Sequence, residues 1–352
     1  MDGYDIIGDI HGEYLSLVKL LEQLDYQPID GIWQHQSRKV IFLGDFIDRG
    51  LQQRKVLDLV MPMVDQGHAK AVMGNHEFNA LAFHTRSEDG ATWLRPRTNK
   101  NIRQHLAFLC EYLEREEEMQ QVLGFFKKLP LWLDIEGLRV VHACWSEKII
   151  RRLEAKLAGA RLTEELLRQA STAETPEYND LETLLKGREL PLPGGIKFLD
   201  KDGTSRDAIR VRWWDKRVTT YRQAYLGPEE SRSEIPEVST EGEHLLEYGE
   251  DEVPVFLGHY WMTGEPAPLA HNIACLDYSV AKPGGKLVLI EYRGEDPRVP
   301  IKRLHKMTEQ QSQTEMQAAG LSWMETLDVL PQQHFMVFQR DEACAAGAAA
   351  ES

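Results

Sequence analysis

The chain has 352 residues, of which 42% are hydrophobic and 28% are charged, proportions typical of a globular protein. Its 41 basic and 56 acidic residues give a formal net charge of −15, which argues against a protein that coats nucleic acid or forms a stable complex with it. No stretch reaches about 18 uninterrupted apolar residues and no signal-peptide pattern stands at the N-terminus, so we expect a cytoplasmic protein without a membrane partner.

The first part of the chain alternates short apolar runs with amphipathic segments. The apolar runs predict buried β-strands, and leucines at helical spacing predict helices between them. In chain order these elements are a strand at 4–8, a helix at 13–24, a strand at 39–44, a helix at about 52–64 and a strand at 69–74. The order βαβαβ predicts parallel strands covered by helices.

The later chain is predicted to add a hairpin and further strands. Two short strands at 131–135 and 138–143 are separated by a tight turn, and another strand is expected at 209–214. Three late strands suit a second sheet, at 253–258, 273–280 and 286–292. We therefore expect an α/β fold with two packed mixed β-sheets flanked by helices.

Two insertions and a C-terminal extension are also expected. A polar stretch followed by helical pattern predicts a helical insertion at about 84–128. Residues 227–252 hold ten acidic residues and one basic residue, a composition typical of a surface insertion or mobile loop. The domain prediction is a single domain over 1–300, followed by an extension over 301–352 with a flexible tail.

Several predicted strands end in glycine followed by side chains that can bind metal. The three early segments are Gly-Asp-Ile-His-Gly from residue 8, Gly-Asp-Phe-Ile-Asp-Arg-Gly from residue 44, and Gly-Asn-His-Glu from residue 74. Loops beyond the carboxyl ends of strands form the usual site in open α/β sheets, so these segments should converge. Later strand ends add two histidines, and the candidate metal ligands are Asp9, His11, Asp45, Asn75, His142 and His259.

The candidate ligands suit two divalent ions. Asp9 and His11 are two residues apart, so extended backbone would aim both at one ion, and Asp45 can bridge two ions through its two oxygens. Mixed nitrogen and oxygen ligands favour Mn²⁺, Fe or Zn²⁺ over Ca²⁺ and Mg²⁺, and we place Mn²⁺ first. Two divalent ions, two carboxylates and one hydroxide sum to about +1, which favours an anionic phosphoester.

The three early segments, in this order, resemble the signature blocks of the phosphoprotein phosphatase branch of the calcineurin-like metallophosphoesterases. The resemblance implies that the six candidate residues bind two metals and that a metal-bridged hydroxide attacks phosphorus. It further implies that His76 protonates the leaving oxygen, that Asp48 orients His76, and that Arg49 binds phosphate, with Asn75 beside the substrate. Glu77 is expected to support a backbone turn rather than bind metal.

The chain also departs from that branch. The block at His142 continues with Ala143 and Cys144 where the protein phosphatases commonly have two glycines, and their late Ser-Ala-Pro-Asn-Tyr loop has no counterpart. The pattern resembles a bacterial-type branch. A second phosphate-binding arginine has no motif of its own, and we select Arg212, with Arg210 as the alternative.

Three functions remain open from the sequence. We place a serine/threonine protein phosphatase-like activity first because the motif set resembles that group. A symmetrical dinucleoside tetraphosphate (Ap4A) hydrolase is the alternative, with Arg86, Arg95, Arg97, Lys100, Arg103 and Trp93 as candidates for holding the polyphosphate. The third is a non-catalytic metal-binding scaffold. The partner is then a phosphorylated protein, a nucleotide or another small phosphoester, and the sequence predicts no oligomeric state.

Overall fold

A computed structural model describes residues 3–135, 137–157, 159–200, 203–278, 286–298, 306–318, 321–328 and 333–340. Its helices are α1 (Tyr14–Gln23), α2 (Gln53–Asp65), α3 (Asn75–His84), α4 (Asn99–Glu111), α5 (Glu116–Lys128), α6 (Glu147–Glu154), α7 (Glu164–Ala170), α8 (Pro176–Lys186), α9 (Tyr221–Ala224), α10 (Glu229–Arg232) and α11 (Glu309–Ala318). Its strands are β1 (Gly3–Ile7), β2 (Gln27–Ile29), β3 (Ile32–Gln34), β4 (Arg38–Phe42), β5 (Ala69–Ala71), β6 (Trp132–Ile135), β7 (Leu138–Val141), β8 (Glu189–Pro191), β9 (Phe198–Leu199), β10 (Ser205–Arg206), β11 (Ala208–Arg210), β12 (Val255–Leu257), β13 (Ile273–Cys275), β14 (Lys286–Tyr292), β15 (Leu321–Leu327) and β16 (Gln333–Arg340).

The first sheet consists of β1, β4 and β5 in parallel pairing, which confirms the predicted βαβαβ order. The register places Ile7 beside Phe42 and Phe42 beside Ala71. Helices α1 and α2 bury leucine and valine faces against this sheet. Because the strands are parallel and in register, the loops that follow them emerge at one edge.

The second sheet has the order β13-β12-β7-β6 and is mixed. Strands β6 and β7 form the predicted antiparallel hairpin, whereas β12 runs parallel to both β7 and β13. Ile41 and Val72 from the side of the first sheet pack in one core with Val140 and Phe256 from the second. The predicted α/β fold of packed sheets flanked by helices is therefore confirmed.

The last of the three late strands was assigned to the wrong sheet. Strand β14 pairs with β16, which pairs with β15, in an antiparallel sheet formed largely by the C-terminal part of the chain. Ile290 of β14 and Phe335 of β16 pack in the same core as Ile6 of β1. An apolar run predicts a strand, but its partner lies about 40 residues further on and has no local signal. The boundary between a domain over 1–300 and an extension over 301–352 stays a prediction, and the tail from 341 lies outside the described residues.

The region of the predicted helical insertion contains α4 and α5, and these helices pack on the core rather than extend from it. Phe108 of α4 and Phe126 of α5 are fully buried. The acidic region 227–252 forms α10 and a series of turns, in which Leu246 N–H donates to the carbonyl of Trp213. Within the described part of the chain, no helix is long and apolar enough to cross a membrane.

Candidate active site

The loops after β1, β4 and β5 lie side by side at one edge of the first sheet. The backbone N–H groups of Ile10 and His11 donate to the carbonyl of Asp45 at 3.1 and 2.8 Å, which joins the first loop to the second. Asp9 accepts the N–H of His259 at 3.1 Å, which joins the first loop to the loop after β12 in the second sheet. The segments that the sequence predicted to converge do so in the structure.

Two glycines are required by the close approach of backbone to these carboxylates. A Cβ atom on Gly74 would lie 2.2 Å from Asp45 Oδ1, and one on Gly258 would lie 2.0 Å from Asp9 Oδ1. Both distances are far below any van der Waals contact, so a side chain at either position would displace a carboxylate. The packing of the site therefore requires glycine at both positions.

Glu77 holds the loop that carries Asp45. Its Oε2 accepts the N–H of Asp45 at 2.8 Å and of Gly74 at 3.0 Å, while Oε1 accepts the N–H of Phe46 at 2.9 Å. The side chain is fully buried, and burial raises the pKa of Glu77 to about 7, with the nearby Asp45 carboxylate acting in the same direction. The predicted role of Glu77 as support for a backbone turn is confirmed.

Two histidines have their ring orientation fixed by backbone carbonyls. His11 Nδ1 donates to the carbonyl of Ile47 at 2.9 Å, and His142 Nδ1 donates to the carbonyl of Leu43 at 2.7 Å. In a neutral ring whose Nδ1 carries the hydrogen, Nε2 presents a lone pair, which is the form that binds metal. Burial, together with the neighbouring His76, lowers the pKa of His11 to about 3, so this ring is neutral.

Ligand-capable atoms surround the carboxylate of Asp45 on two sides. One atom from each of His11, Asp45 and His76 lies within 4.8 Å of the other two, and the same holds for Asp45, His142 and His259. Asp45 Oδ2 lies 3.7 Å from His11 Nε2 and 3.3 Å from His142 Nε2. Two potential metal positions that share Asp45 are therefore present in the geometry.

Asn75 and Asp9 complete these groups. Asn75 Oδ1 lies 3.1 Å from His142 Nε2 and 2.7 Å from His259 Nδ1, and Asp9 Oδ2 lies 4.0 Å from His11 Nε2. The structure thus brings together all six residues that the sequence selected as ligands.

The residues present fit divalent cations. His11 Nε2 and His259 Nε2 are buried nitrogens without a hydrogen-bond partner, and His11 Nε2 faces carboxylate oxygens of Asp9 and Asp45 at 4.0 and 3.7 Å. Buried lone pairs that point at one another repel, and a cation between them removes that repulsion. Mixed imidazole, amide and carboxylate ligands are the chemistry expected for Mn²⁺, Fe or Zn²⁺.

The pKa shifts at this centre indicate a demand for positive charge. Burial acts to raise the pKa of Asp45, but His142 and His76 lower it well below its usual range. Burial acts to lower the pKa of His142, but the Asp45 carboxylate raises it to about 10. The pKa of Asp9 is raised by burial, by Asp277 and by Asp45. These opposing shifts are those of a crowded anionic centre in which histidine protons take the place of metal charge.

His76 lies beside this centre with one ring nitrogen held by Asp48. His76 Nδ1 donates to Asp48 Oδ2 at 2.6 Å, and His76 Nε2 lies 3.9 Å from Asp45 Oδ2. Burial acts to lower the pKa of His76, but Asp45 and Asp48 together raise it above its ordinary value. The structure therefore places a histidine that favours its charged form next to the candidate ligands.

The site opens into a cleft of about 1410 Å³. Arg49 lies on its wall with its guanidinium 3.3 Å from the ring centroid of Trp261. Arg210 also lines the cleft. Burial is the main cause of the lowered pKa of His259, and the positive charge of Arg210 is the next largest cause. Arg212 is not among the residues that line this cleft, and its charged neighbours include Arg232 and Asp215. The structure thus favours Arg210, the alternative of the sequence analysis, over Arg212.

The candidate cations of the helical insertion divide into two groups. Arg95, Lys100 and Arg103 line the cleft. Arg86 and Arg97 instead stack on Trp93, with guanidinium carbons 4.1 and 3.6 Å from the ring centroid. A sequence pattern cannot separate these groups because all five lie in one predicted insertion.

One residue that touches the site was missed. None of the sequence predictions names His105 of α4, yet its Nδ1 donates to Asp48 Oδ1 at 2.9 Å and its side chain is fully buried. His105 belongs to no sequence motif. The one sequence signal that could have indicated a buried role is its position on the apolar side of a predicted helix.

Comparison with known families identifies the class of protein to which this fold and site belong. The calcineurin-like phosphoesterase family matches residues 4–260, so the chain belongs to this family.

Among curated relatives, the bis(5'-nucleosyl)-tetraphosphatase PrpE (asymmetrical) of Oceanobacillus iheyensis is 30% identical over 162 residues. That match covers 43% of this chain and 60% of the relative, so it spans less than two thirds of the relative's length. The protein of the same name from Geobacillus thermodenitrificans is 30% identical over 188 residues, which cover 52% of this chain and 74% of the relative.

Two solved structures are also similar. The Saccharomyces cerevisiae serine/threonine phosphatase with similarity to human PP5 has a TM-score of 0.45 at 14% identity. The match covers 88% of this chain and 78% of the yeast chain. The cold-active protein-tyrosine phosphatase of a Shewanella species has a TM-score of 0.45 at 17% identity. The match covers 82% of this chain and 75% of the Shewanella chain.

Glu77→Gln tests the support of the Asp45 loop. An amide has one carbonyl oxygen in place of two carboxylate oxygens, so at least one of the three buried N–H groups loses its acceptor. We expect the free energy of unfolding to fall by about 1 to 3 kcal/mol and the affinity for Mn²⁺ to fall by roughly 10- to 100-fold. Urea unfolding and titration calorimetry measure these quantities.

The matched control is Glu88→Gln, the same change at an exposed position. It should leave both quantities at wild-type values. Wild-type Mn²⁺ affinity in Glu77→Gln would show that this carboxylate does not position the site.

Proposed function

We propose that the chain hydrolyses phosphate monoesters, with phosphoserine and phosphothreonine side chains of proteins as the first substrate class. The observation that carries the proposal is the pair of potential ligand groups that share Asp45, of which the first also contains His76. In this proposal Asp9, His11 and Asp45 hold one divalent ion, and Asp45, Asn75, His142 and His259 hold a second. Mn²⁺ is the first choice and Fe or Zn²⁺ the alternatives. When bound, such ions acidify water and offset the negative charge of the phosphoryl oxygens.

His76 is the proposed proton donor to the departing oxygen. Because Nδ1 is bound to Asp48, the proton available for transfer is the one on Nε2. The raised pKa of His76 favours the protonated ring, and the leaving alcohol needs a proton at the moment its bond to phosphorus breaks. Asp48 serves by orienting the ring and stabilising its charged form.

Arg49 and Arg210 are the proposed phosphate-binding arginines. Both line the cleft, and the stacking of Arg49 on Trp261 leaves the edge of the guanidinium able to donate hydrogen bonds. The amide nitrogen of Asn75 is the proposed further contact to this phosphate, since its oxygen faces the two histidines. These residues would orient the phosphate and neutralise its charge.

A dinucleoside tetraphosphate is the second candidate substrate. Lys100 and Arg103 line the cleft, so both can contact additional phosphates. The curated relatives named above carry the name of an asymmetrical tetraphosphatase, whereas the sequence alone suggested the symmetrical reaction. The products distinguish these reactions, because symmetrical cleavage of Ap4A yields two ADP and asymmetrical cleavage yields ATP and AMP.

Other parts of the sequence interpretation stay predictions. They are the cytoplasmic location, the single-domain organisation, the absence of a stable nucleic acid complex and the function as a scaffold. A chain that binds metal yet hydrolyses no phosphomonoester, diester or Ap4A would favour the scaffold.

The proposal is tested by a substrate panel with Mn²⁺, comprising phosphoserine and phosphothreonine peptides, Ap4A and nucleotides. We expect hydrolysis of the phosphopeptides, and we expect His76→Gln to lower kcat by roughly 10²- to 10⁴-fold because the variant cannot supply a proton. The matched control is His271→Gln at an exposed histidine, which should retain wild-type turnover. Unchanged turnover in His76→Gln would contradict the proposed role, and turnover of Ap4A alone would select the second candidate.

A paired substitution tests which arginine grips the substrate. Arg210→Ala should raise KM for a phosphopeptide by about 10-fold because a phosphate contact is lost. Arg212→Ala should stay within about twofold of wild type, since surface contacts outside a site are usually small effects. Steady-state kinetics with both variants measure this difference, and the reverse ranking would restore Arg212 as the phosphate ligand.

A further inference from the structure

Helix α4 approaches the proposed proton donor through a residue of its own. We propose that His105 is a positioning residue that holds the Asp48 carboxylate so that Asp48 can aim His76 at the leaving group. This inference rests on the proposed function, since it assumes that His76 transfers a proton. It assigns a role in turnover to the helical insertion between Asn75 and His142.

The first observation is that both oxygens of Asp48 are bound. Oδ2 accepts from His76 Nδ1 at 2.6 Å, and Oδ1 accepts from His105 Nδ1 at 2.9 Å. A carboxylate is planar, so a partner on each oxygen fixes its rotation about the Cβ–Cγ bond. Without His105, Oδ1 would lose its side-chain partner and the plane of the carboxylate could turn, taking the ring of His76 with it.

The second observation is that His105 is itself held rigidly. Its ring stacks on Phe108 with centroids 4.6 Å apart and 16° between the planes, and the ring of Phe83 lies at 5.2 Å. Its Nε2 lies 3.3 Å from His84 Nε2, a spacing that holds one hydrogen between the two nitrogens. Burial, His105 and Arg97 lower the pKa of His84 to about 4, so His84 is neutral and can donate that hydrogen.

The third observation is a second contact between α4 and the Asp48 loop. Glu111 at the end of α4 accepts the N–H of Gln53 at 2.8 Å and of Arg54 at 2.7 Å, so it caps the beginning of α2. The side chain of Gln53 in turn accepts the N–H of Asp48 at 2.8 Å. Helix α4 therefore fixes Asp48 from two directions, through its carboxylate and through its backbone.

Positive φ at Asp48 makes such support necessary. Its φ of 64° and the φ of 77° at Arg49 lie in the left-handed region, which non-glycine residues adopt only when neighbouring contacts hold them there. The contacts from His105 and Gln53 supply that restraint. The arrangement is a chain of fixed side chains from the Phe108 ring to His76.

The test compares substitutions of His105 on aryl phosphates whose leaving phenols differ in acidity. A poor leaving group depends on the proton and a good one does not, so His105→Leu should lower kcat by about 10-fold or more for phenyl phosphate and by less than about threefold for 2,4-dinitrophenyl phosphate. KM should stay near wild type for both. The asparagine amide can stand in for Nδ1 and the glutamine amide cannot, so His105→Asn should recover most of the loss and His105→Gln should not.

The matched control is His244→Leu, which removes a buried histidine bonded to Thr240 and to the carbonyl of Asp215, outside the cleft. It should lower stability without changing the ratio of the two rates. Circular dichroism and Mn²⁺ content establish that each variant is folded and loaded. If His105→Leu does not fold, the contrast between His105→Asn and His105→Gln still decides the matter.

Measurement of His76→Gln on the same series separates the two proposals. The loss of kcat in His76→Gln should depend on the acidity of the leaving phenol. If it does and the loss of kcat in the His105 variants does not, His105 has no positioning role and the proposed function stands. If His76→Gln loses the same factor for every leaving group, proton donation by His76 is wrong. An equal loss for both phenols in His105→Leu, or equal rates for the asparagine and glutamine variants, would overturn the inference.

Discussion

The carboxylate of Asp45 is the point on which the rest of the site depends. It is 1% exposed and lies between two histidine nitrogens, with Asp9 and Glu77 buried nearby. Burying acidic groups together costs several kcal/mol unless positive charge accompanies them, so this arrangement is stable only with protons or cations among its ligands. The surrounding structure serves that constraint, since Glu77 holds the Asp45 loop and Gly74 leaves room for the carboxylate.

The six candidate ligands could be identified from the sequence because each follows a short apolar strand. Parallel pairing of β1, β4 and β5 then brings Asp9, Asp45 and Asn75 to one edge of the sheet. The alternation of strands and helices along the chain is enough to predict that pairing. The hairpin of β6 and β7 was likewise readable from a local turn. What these features share is that neighbouring residues determine them.

The features that the sequence left open or did not name depend on contacts between distant segments. Arg210 and Arg212 lie two residues apart, and only the packing of the chain around them shows which one lines the cleft. His105 becomes relevant because α4 docks on the Asp48 loop, 57 residues away in the chain. Strand β14 joins a third sheet through pairing with β16. That partner lies beyond the predicted domain boundary, so the pairing was not expected. Each of these outcomes depends on tertiary contacts that no local pattern in the sequence indicates.

We propose that Asp45 is shared by two divalent ions whose presence is needed for phosphoester hydrolysis. The most direct measurement is the Mn²⁺ content per chain of the wild type and of Asp45→Asn, by elemental analysis after equilibrium with Mn²⁺, alongside turnover of an aryl phosphate. We predict about two Mn²⁺ per wild-type chain, and in Asp45→Asn fewer than about one with turnover lost. Equal Mn²⁺ content and equal turnover in the two proteins would contradict the account.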